Sequence, residues 1–394
     1  MTEQLETARL TIRPMPATAL AGLRDRYATE DPELSEAYAA MLAGCTAQPQ
    51  QALWYTAWDI RLRATGESIG DLGFKGLPEH GRPEIGYGLL PPYHGKGYAT
   101  EAVEALCRWA LSQTGVTAVE AETTPDNAAS QRVLEKVGFF PCGITGEEGP
   151  RFLLPTVTEA HRIGPMPAIV YGAAADRVFL FIHGQCGNKE EAARFAAVAI
   201  PRGWQVLSVD LPEHGERRDS SRLLPWVVLP ELQAVLRNAR TRWPHIAVRA
   251  NSIGAWFSLL AFAGSADQRP IERCLLVSPL TDMEAMIRCM MAQAGVTEQQ
   301  LVQAEEIPTA TGQTLSAAYL RWAQEHAVRA LCPDTAILCA REDAVLPPHA
   351  LERFVQENGC RRTVMPNGEH WFHTPEQLAF QCRFEAAELD RSTI

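Results

Sequence analysis

The stretch Arg249-Ala250-Asn251-Ser252-Ile253-Gly254-Ala255-Trp256 places a serine between an apolar run and a segment whose apolar residues have helical spacing. Small residues at positions 250 and 254 let a strand and a helix cross closely, and the turn between them lifts the Ser252 hydroxyl clear of the sheet. The stretch therefore predicts a nucleophilic serine. A serine that only caps a buried helix would give a similar pattern, and this motif begins with alanine where glycine is usual, so other groups must decide.

Continuous apolar runs alternate with helical segments through the same half of the chain. Such runs predict a parallel sheet covered by helices on both faces. They lie at residues 178–182, 205–210, 274–277 and 336–339. We expect Ser252 at the edge of this sheet where the carboxyl ends of the strands meet.

An acid and a base follow the last of these runs. Asp343 comes after a buried strand, where a carboxylate can orient an imidazole, and Glu342 is the alternative. His370 follows a turn and precedes a helical segment, so it is the predicted base, with His373 as the alternative. The order serine, acid, histidine is the order of the catalytic triad in this kind of fold.

A glycine-containing loop after the run at 178–182 supplies the last group. The loop His183-Gly184-Gln185-Cys186-Gly187-Asn188 can direct the Gln185 N–H at Ser252. With the Ile253 N–H, it would form an oxyanion hole. We interpret His183 and His214 as structural, because both precede the serine in the chain.

Residues 168–394 resemble the α/β-hydrolases, in particular esterases of the serine-triad type, through this turn, loop, acid and histidine. The resemblance implies cleavage of an ester or a related acyl bond. Residues 281–330 interrupt the alternation of strands and helices and are expected to form a small helical cap. Its methionines either line an acyl pocket or form the core of the cap; they are Met283, Met286, Met290 and Met291.

The N-terminal half centres on the turn Tyr93-His94-Gly95-Lys96-Gly97-Tyr98, which leads into an amphipathic helical segment. Glycines let backbone N–H groups converge, and the helix dipole favours an anion, so the turn is typical of a phosphate cradle. A plain glycine loop is the alternative. Strands are predicted around it at residues 10–13, 57–63, 68–73, 84–90 and 118–123.

Residues 1–155 are similar to the GNAT superfamily of acyl-CoA-dependent N-acetyltransferases, and within it to the ribosomal-protein-acetyltransferase type. The motifs that carry the similarity are Glu6-Thr7-x-Arg9-Leu10, Ile85-Gly86-Tyr87, Gly95-Lys96-Gly97-Tyr98-Ala99-Thr100-Glu101-Ala102 and Asn127-x-x-Ser130-x-x-Val133-Leu134-x-Lys136-x-Gly138-Phe139. His94 stands where the family loop begins with arginine or glutamine. A cradle made of backbone donors tolerates that change.

The resemblance implies that acetyl-CoA is the co-substrate and that backbone groups bind it. Leu89 and Leu90 would pair with the pantetheine arm where two strands separate. Asn127 would orient that arm or a water, or would only cap its helix. The N–H groups expected at the pyrophosphate are those of Gly95, Lys96, Gly97, Tyr98 and Ala99.

The same resemblance implies the groups that move protons. Ser130 would protonate the departing thiolate. Glu84 would deprotonate the incoming amine through a water, and Glu122 competes for that role.

Composition limits the remaining possibilities. A chain of 394 residues predicts two domains, and the proline-punctuated residues 156–167 are the expected linker between them. A net charge of −11 argues against nucleic-acid binding, and no apolar run approaches the 18 residues of a membrane span. Ten cysteines without ligand spacing and a polar N-terminus predict no metal site and a cytoplasmic protein.

Taken together, the sequence predicts an α/β protein in which a mixed α+β GNAT domain precedes a doubly wound, mostly parallel α/β-hydrolase domain. The expected function is bifunctional: acetyl transfer to a small molecule or a protein N-terminal amine, and hydrolysis of a carboxylic ester. The alternative is an esterase or thioesterase whose GNAT domain is a regulatory acyl-CoA-binding module. The surplus of acidic residues in the first 160 positions favours a basic acceptor such as an amine.

Overall fold

The computed structural model describes residues 3–78, 80–219, 221–263, 270–310, 312–347 and 349–391. The chain forms two compact units, Met1–Thr156 and Val157–Ile394. Each unit has its own apolar core.

The first unit contains two antiparallel sheets, one of order β1-β2-β3-β4-β5 and one of order β6-β8-β7. Its elements in chain order are β1 (Leu5–Glu6), β2 (Leu10–Pro14), α1 (Ala17–Glu30), α2 (Pro32–Ala47), β3 (Ala57–Leu62), β4 (Ser68–Phe74), β5 (Ile85–Leu89), α3 (Tyr98–Leu111), β6 (Ala118–Glu122), α4 (Ala128–Val137), β7 (Phe140–Thr145) and β8 (Pro150–Pro155).

An opening between β5 and β6 positions the first site. The two strands touch where Glu84 and Glu120 form a parallel bridge, and they then enter different sheets. Helix α3 packs below this opening with the apolar stripe expected from the sequence, because Val103, Leu106 and Ala110 are buried in the core. The N-terminus of α3 borders the same cleft as Tyr87, Gly88 and Leu89 of β5.

The second unit is built on an eight-stranded sheet, with a two-stranded hairpin outside it. Its elements in chain order are β9 (Val157–Ile163), β10 (Met166–Tyr171), β11 (Arg177–Ile182), α5 (Ala192–Ala199), β12 (Gln205–Val209), α6 (Pro225–Arg242), β13 (His245–Asn251), α7 (Ser252–Phe262), β14 (Cys274–Val277), α8 (Met283–Ala294), α9 (Glu298–Ala304), β15 (Glu306–Pro308), β16 (Thr314–Ser316), α10 (Ala317–Glu325), β17 (Thr335–Ala340), α11 (Ala350–Asn358), β18 (Arg361–Met365) and α12 (Pro375–Asp390).

The large sheet has the order β18-β17-β14-β13-β11-β12-β10-β9, and the six strands from β18 to β12 run parallel. All residues of β12, β14 and β17 are buried, as expected for strands covered on both faces. Helix α6 packs against α7, and α5 packs against α12. The predicted fold class, a mixed domain followed by a doubly wound, mostly parallel sheet, is confirmed.

The expected linker at residues 156–167 differs from the structure. Residues 157–163 and 166–171 form the antiparallel hairpin β9–β10 at one edge of the large sheet. Gly164 makes the turn with a φ of 58° and Pro165 follows it, so these residues close a hairpin rather than mark a flexible join. Every residue of β10 is buried, and Met166, Ala168 and Val170 belong to the main core of the second unit, so β10 is an integral strand of that unit.

The region predicted as a cap, residues 281–330, holds α8, α9, α10 and the β15–β16 hairpin between β14 and β17. Met283 and Met291 are buried in the main core, and Met286 and Met290 pack against it. The contacts therefore favour a core role for these methionines over an acyl pocket. In the part of the chain that the structure describes, no helix is both long and apolar enough to cross a membrane.

Candidate active sites

Ser252 stands on a strained turn between β13 and α7. Its φ is 45°, a left-handed conformation that is costly for a residue with a side chain. A Cβ on Gly254 would collide with the His183 carbonyl oxygen, so only glycine lets the helix pass this close to the neighbouring strand end. The Leu280 N–H donates to the Ser252 carbonyl at 3.1 Å and holds the turn from the side of β14.

Three side chains far apart in the chain meet at this turn. Ser252 Oγ lies 2.9 Å from His370 Nε2, and His370 Nδ1 lies 2.8 Å from Asp343 Oδ2. The other carboxylate oxygen of Asp343 accepts hydrogen bonds from the N–H groups of Val345 and Leu346. Burial works to raise the pKa of Asp343, but the His370 contact and these N–H groups outweigh it and hold the pKa below its usual value.

The alternative acid and base lie elsewhere. His373 is exposed, and its Nδ1 lies 3.8 Å from Glu369 rather than near the serine. Glu342 is exposed as well. His370, by contrast, is only 6% exposed, with the exposed ring of Trp371 edge-on to it at 5.4 Å. The geometry therefore selects His370 and Asp343.

His183 and His214 hold backbone groups of the surrounding loops. The Leu211 N–H donates to His183 Nε2 at 3.1 Å, and the Cys186 N–H donates to His214 Nε2 at 2.9 Å. Burial lowers the pKa of His183 to about 4. Both rings therefore have the structural role expected for histidines that precede the serine.

The segments that carry the expected oxyanion donors, Gln185 and Ile253, both adjoin Ser252. A Cβ built on Gly184 would lie 3.3 Å from the Ser252 Cβ, so the loop that carries Gln185 passes directly beside the serine. Gln185 is exposed at this point, while His214 anchors the next residue, Cys186. Ile253 is the first residue after the serine in α7. The loop and the helix N-terminus thus approach Ser252 from two directions.

Two supporting contacts were not expected from the sequence. Ser278, which directly follows β14, donates from Oγ to the His370 carbonyl at 2.8 Å. Arg249 of β13, three residues before the serine, forms a fully buried ion pair with Glu385 of α12 at 2.6 Å and also bonds to Asn251. The sequence signal for the Arg249–Glu385 pair was an arginine that directly follows an apolar run. The Ser278–His370 contact had no signal in the sequence.

The glycine turn of the first unit borders a cleft of about 630 Å³. Gly95 and Gly97 have φ values of 73° and 80°, so both use a backbone conformation that other residues rarely adopt. The first turn of α3 leaves its N–H groups without acceptors inside the helix and opens into this cleft. The cleft also contains two exposed cations beyond those expected, Arg132 and Lys136.

These features fit the chemistry of acetyl-CoA, which carries phosphates at one end of a narrow arm. Backbone N–H donors and the positive end of a helix bind phosphate. A Cβ built on Gly95 would meet no described atom within 4 Å, so the backbone of this turn is open to a ligand. Lys96 belongs to the same turn but is not among the residues that line the cleft, and its side chain lies over the Tyr93 ring. In the described ranges, no group of three or more His, Cys, Asp or Glu side chains could hold a metal ion.

Leu90 differs from its expected role at the pantetheine arm. Its N–H donates to the Ile69 carbonyl, and its carbonyl accepts from the Tyr93 N–H. The Leu89 carbonyl accepts from His94 Nε2 at 2.8 Å. Pro91 and Pro92 tighten the chain into a 3-10 turn here, and this turn uses the backbone groups that a ligand would need.

Asn127 and Ser130 line the cleft from α4. Asn127 Oδ1 accepts from the Ser130 N–H at 3.0 Å, so Asn127 caps the helix at the same time. Ser130 Oγ lies 2.8 Å from the Tyr87 hydroxyl. Tyr87 was part of a motif in the sequence, but its contact with Ser130 depends on how β5 faces α4.

Glu84 does not reach the cleft. Its carboxylate pairs with Lys75 at 2.5 Å and with Arg151 at 3.6 Å, at the closed end of the opening between β5 and β6. Glu122 accepts from two backbone N–H groups and from Arg151, and although burial opposes the change, these bonds lower its pKa. Both expected bases are thus committed to ion pairs, and neither is among the residues that line the cleft.

Comparison with known proteins identifies the first unit. Residues 9–140 match the family model described as acetyltransferase (GNAT) domain. The uncharacterized N-acetyltransferase YjdG of Bacillus subtilis (strain 168) is 40% identical over 87 residues, which are 22% of this chain and 52% of that protein. The uncharacterized N-acetyltransferase YoaA of the same strain is 38% identical over 88 residues, which are 22% of this chain and 50% of that protein. The chain spans about half the length of the curated relatives it matches.

Solved structures resemble each unit separately. Est1E from Butyrivibrio proteoclasticus, bound to ferulic acid, covers 58% of this chain and 97% of its own, with 19% identity and a TM-score of 0.46. An acetyltransferase from Agrobacterium tumefaciens covers 40% of this chain and 96% of its own, with 25% identity and a TM-score of 0.33. The first unit contains a GNAT acetyltransferase domain. The second unit has the doubly wound, mostly parallel sheet that the sequence predicted for this half of the chain.

Proposed function

We propose that the protein is a bifunctional enzyme that joins an acetyl-CoA-dependent N-acetyltransferase to a serine carboxylesterase. The observation that carries the hydrolase half is the hydrogen-bonded chain from Ser252 through His370 to Asp343, with separations of 2.9 and 2.8 Å. A serine on a strained strand-to-helix turn is exposed to a substrate in the way that nucleophilic attack requires.

In this proposal His370 Nε2 takes the Ser252 proton as the hydroxyl attacks the acyl carbon. Asp343 holds the imidazole through Nδ1 and stabilises its charged form. The N–H groups of Gln185 and Ile253 donate to the oxygen on which negative charge develops. The imidazolium gives this proton to the alcohol that leaves as the acyl-serine forms. A water, deprotonated by the same imidazole, then releases the acyl group as a carboxylic acid, and the serine regains its proton.

The transferase half is supported by the family match over residues 9–140 and by the cleft at the start of α3. When bound, acetyl-CoA supplies the acetyl thioester. The N–H groups of residues 95–99 would hold its pyrophosphate, and Arg132 and Lys136 add positive charge at that end. Ser130, which lines the cleft and is hydrogen-bonded to Tyr87, is the proposed proton donor to the leaving thiolate. The scattered cysteines support a reducing, cytoplasmic setting for both activities.

A fluorophosphonate probe tests the hydrolase half. We expect the full chain to be labelled on Ser252 alone, and hydrolysis of a series of p-nitrophenyl esters to disappear in Ser252→Ala and His370→Ala. His373→Ala is the matched control and keeps the activity, because that ring lies away from the serine. Labelling at another serine, or full hydrolysis by Ser252→Ala, would exclude the proposed nucleophile.

Release of CoA from acetyl-CoA in the presence of amines tests the transferase half. We expect amine-dependent release in wild type and in Ser252→Ala alike. Binding of CoA without acetylation of any amine would leave the first unit as a regulatory module. Release that needs no amine and stops in Ser252→Ala would identify a thioesterase instead.

A further inference from the structure

A second cavity in the first unit, of about 640 Å³, lies between the α1–α2 pair and strands β4 and β5. Its volume is that of sites that hold small molecules. Tyr87, Gly88 and Leu89 line both this cavity and the cleft at the start of α3. The two spaces therefore border the same short stretch of β5.

Two glycines of β5 leave the sheet without side chains beneath this cavity. Gly86 and Gly88 alternate along β5 with Tyr87 and Leu89, so the two glycines face one side of the strand and the larger residues face the other. A Cβ built on Gly86 or Gly88 would meet no described atom within 4 Å. Larger residues at these positions would fill the cavity, and their absence leaves room for a ligand.

One carboxylate lies in this cleared region. Asp71 on β4 is the direct cross-strand partner of Gly88, so its side chain shares the face that the glycines open. The Tyr38 hydroxyl donates to Asp71 Oδ2 at 2.7 Å. Lys75, at the edge of the cavity, is paired with Glu84 and Glu148. The rest of the lining is mainly apolar or aromatic, with Tyr27, Leu34, Met41, Tyr55 and Phe74 among its members.

We propose that this cavity is the acceptor site of the transferase and takes a small primary amine on an apolar body, with Asp71 as the group that binds the ammonium and removes its proton. The inference rests on the proposed acetyl transfer. An apolar cavity with a single acid matches an apolar body with a single positive charge. A carboxylate accepts several hydrogen bonds, so the amine can share Asp71 with Tyr38.

The proton balance of the step is simple. Asp71 takes one proton from the ammonium, and the freed lone pair forms the C–N bond to the acetyl carbon of the thioester. The C–S bond breaks and its electron pair leaves on sulfur. The thiolate takes the second proton that the nitrogen loses, through the Ser130 hydroxyl, and Asp71 later returns its proton to solvent. The products are an amide, a thiol and one proton.

The surroundings of Asp71 suit a base. Burial raises the pKa of its carboxyl, and the Tyr38 hydrogen bond opposes that change without cancelling it. Burial and the nearby Asp71 charge raise the pKa of Tyr38 in turn, so the phenol stays protonated as a donor. Glu84 and Glu122, each tied to cations, lack this combination.

The test compares three variants of the full chain. Asp71→Asn removes the charge and keeps the shape. Gly86→Val puts a strand-compatible side chain into the cavity but not into the acetyl-CoA cleft, which Gly86 does not line. Asp25→Asn is the matched control, because Asp25 is an exposed acid of α1 that does not line the cavity. The amines are butylamine, benzylamine, phenethylamine and tryptamine, with short peptides as protein N-termini.

Two readouts are measured: kcat/KM for each amine, and calorimetric binding of the same amines to protein saturated with CoA. We expect Asp71→Asn to lower kcat/KM for the apolar amines at least about 100-fold and to abolish their binding, with CoA affinity unchanged. Gly86→Val should weaken binding of tryptamine far more than that of butylamine. Asp25→Asn should stay within about threefold of wild type.

Other results would overturn the inference in distinguishable ways. Acetylation of amines that is unchanged in both Asp71→Asn and Gly86→Val would remove the cavity from the reaction and leave acetyl transfer standing. A preference for peptides over all apolar amines would reject the assigned substrate class. Absence of acetylation by a wild-type protein that binds CoA would reject acetyl transfer, and the acceptor site with it.

Discussion

At the residue scale, the hydrolase site depends on side chains that hold backbone groups as much as on the groups that react. His370 could be predicted as the base because it follows a turn near the end of the chain. Its position relative to Ser252 is held by Ser278, whose hydroxyl bonds to the His370 carbonyl in a region that is almost fully buried.

We expect Ser278→Ala to lower the kcat of ester hydrolysis about tenfold with little change in KM. The substitution leaves a buried carbonyl without one of its donors, at a cost of about 1–3 kcal/mol, and loosens the loop that carries His370. Steady-state kinetics on a p-nitrophenyl ester measure the effect. Ser208→Ala, another fully buried serine of the same sheet, is the control. A drop of equal size in both variants would point to general destabilisation.

His183 makes the stability of the second unit depend on pH. Its pKa is about 4 in the folded chain and about 6.5 in an unfolded one, so the unfolded state binds the proton more readily between these values. The stabilising effect of a neutral ring is complete above pH 6.5 and is lost as the pH falls toward 4. The loss amounts to about 3 kcal/mol.

Urea unfolding of the full chain at a series of pH values measures this loss. The pH dependence should be flatter in His183→Gln. The exposed His373→Gln should leave the dependence as in wild type. An unchanged profile in His183→Gln would assign the acid sensitivity to other groups.

At the element scale, the contact between the end of β11 and the start of α7 decides whether the serine turn can form. Gly254 lies against the carbonyl oxygens of Ile182 and His183, and even a methyl group has no room there. The sequence indicated this contact, because small residues two positions before and after a serine are typical of such a turn.

Gly254→Ala should therefore destabilise the second unit by more than the usual cost of one substitution, about 3 kcal/mol or more, and reduce fluorophosphonate labelling. Gly22→Ala in α1, where a Cβ meets no described atom, is the same chemical change without the collision. Gly22→Ala should leave the free energy of unfolding at the wild-type value or raise it by about 0.5–1 kcal/mol. Differential scanning calorimetry compares the two. A neutral Gly254→Ala would mean that the turn has more space than the carbonyl positions allow.

At the scale of the whole molecule, the chain has two cores and two candidate chemistries. One core packs α3 against the sheets of the first unit, and the other packs α6 and α7 against the large sheet. Each core is large enough for its unit to unfold as a cooperative body.

Calorimetry of the full chain should show two transitions that respond to different ligands. Saturating CoA should raise the midpoint of one, because only the first unit has the phosphate cradle. Labelling of Ser252 with a fluorophosphonate should shift the other. Controls are Asp71→Asn, which keeps the CoA response, and Ser252→Ala, which loses the probe response. A shift of both midpoints by either ligand would show that the two units unfold as one.

Patterns that act over a few residues were enough for the order of strands and helices, the serine turn, the glycine cradle and the class of each half. Apolar periodicity and the size of neighbouring residues depend on nothing distant in the chain. They failed at residues 156–167, where prolines suggested a join but antiparallel strand pairing makes a hairpin. The catalytic roles of Ser252, Asp343 and His370 stay predictions, as do those of Gln185, Ile253, Asn127 and Ser130 and the binding role of the glycine turn.

Tertiary structure alone decided which polar groups face each cleft. Glu84 and Asp71 belong to the same domain, yet strand pairing places them in different surroundings. Glu84 pairs with Lys75, whereas Asp71 lines a cavity. Ser278, Tyr87 and Glu385 likewise gain their partners across 43 to 136 residues of chain. No local pattern determines such contacts, because strand register and helix packing are set by the sum of burial over the whole core.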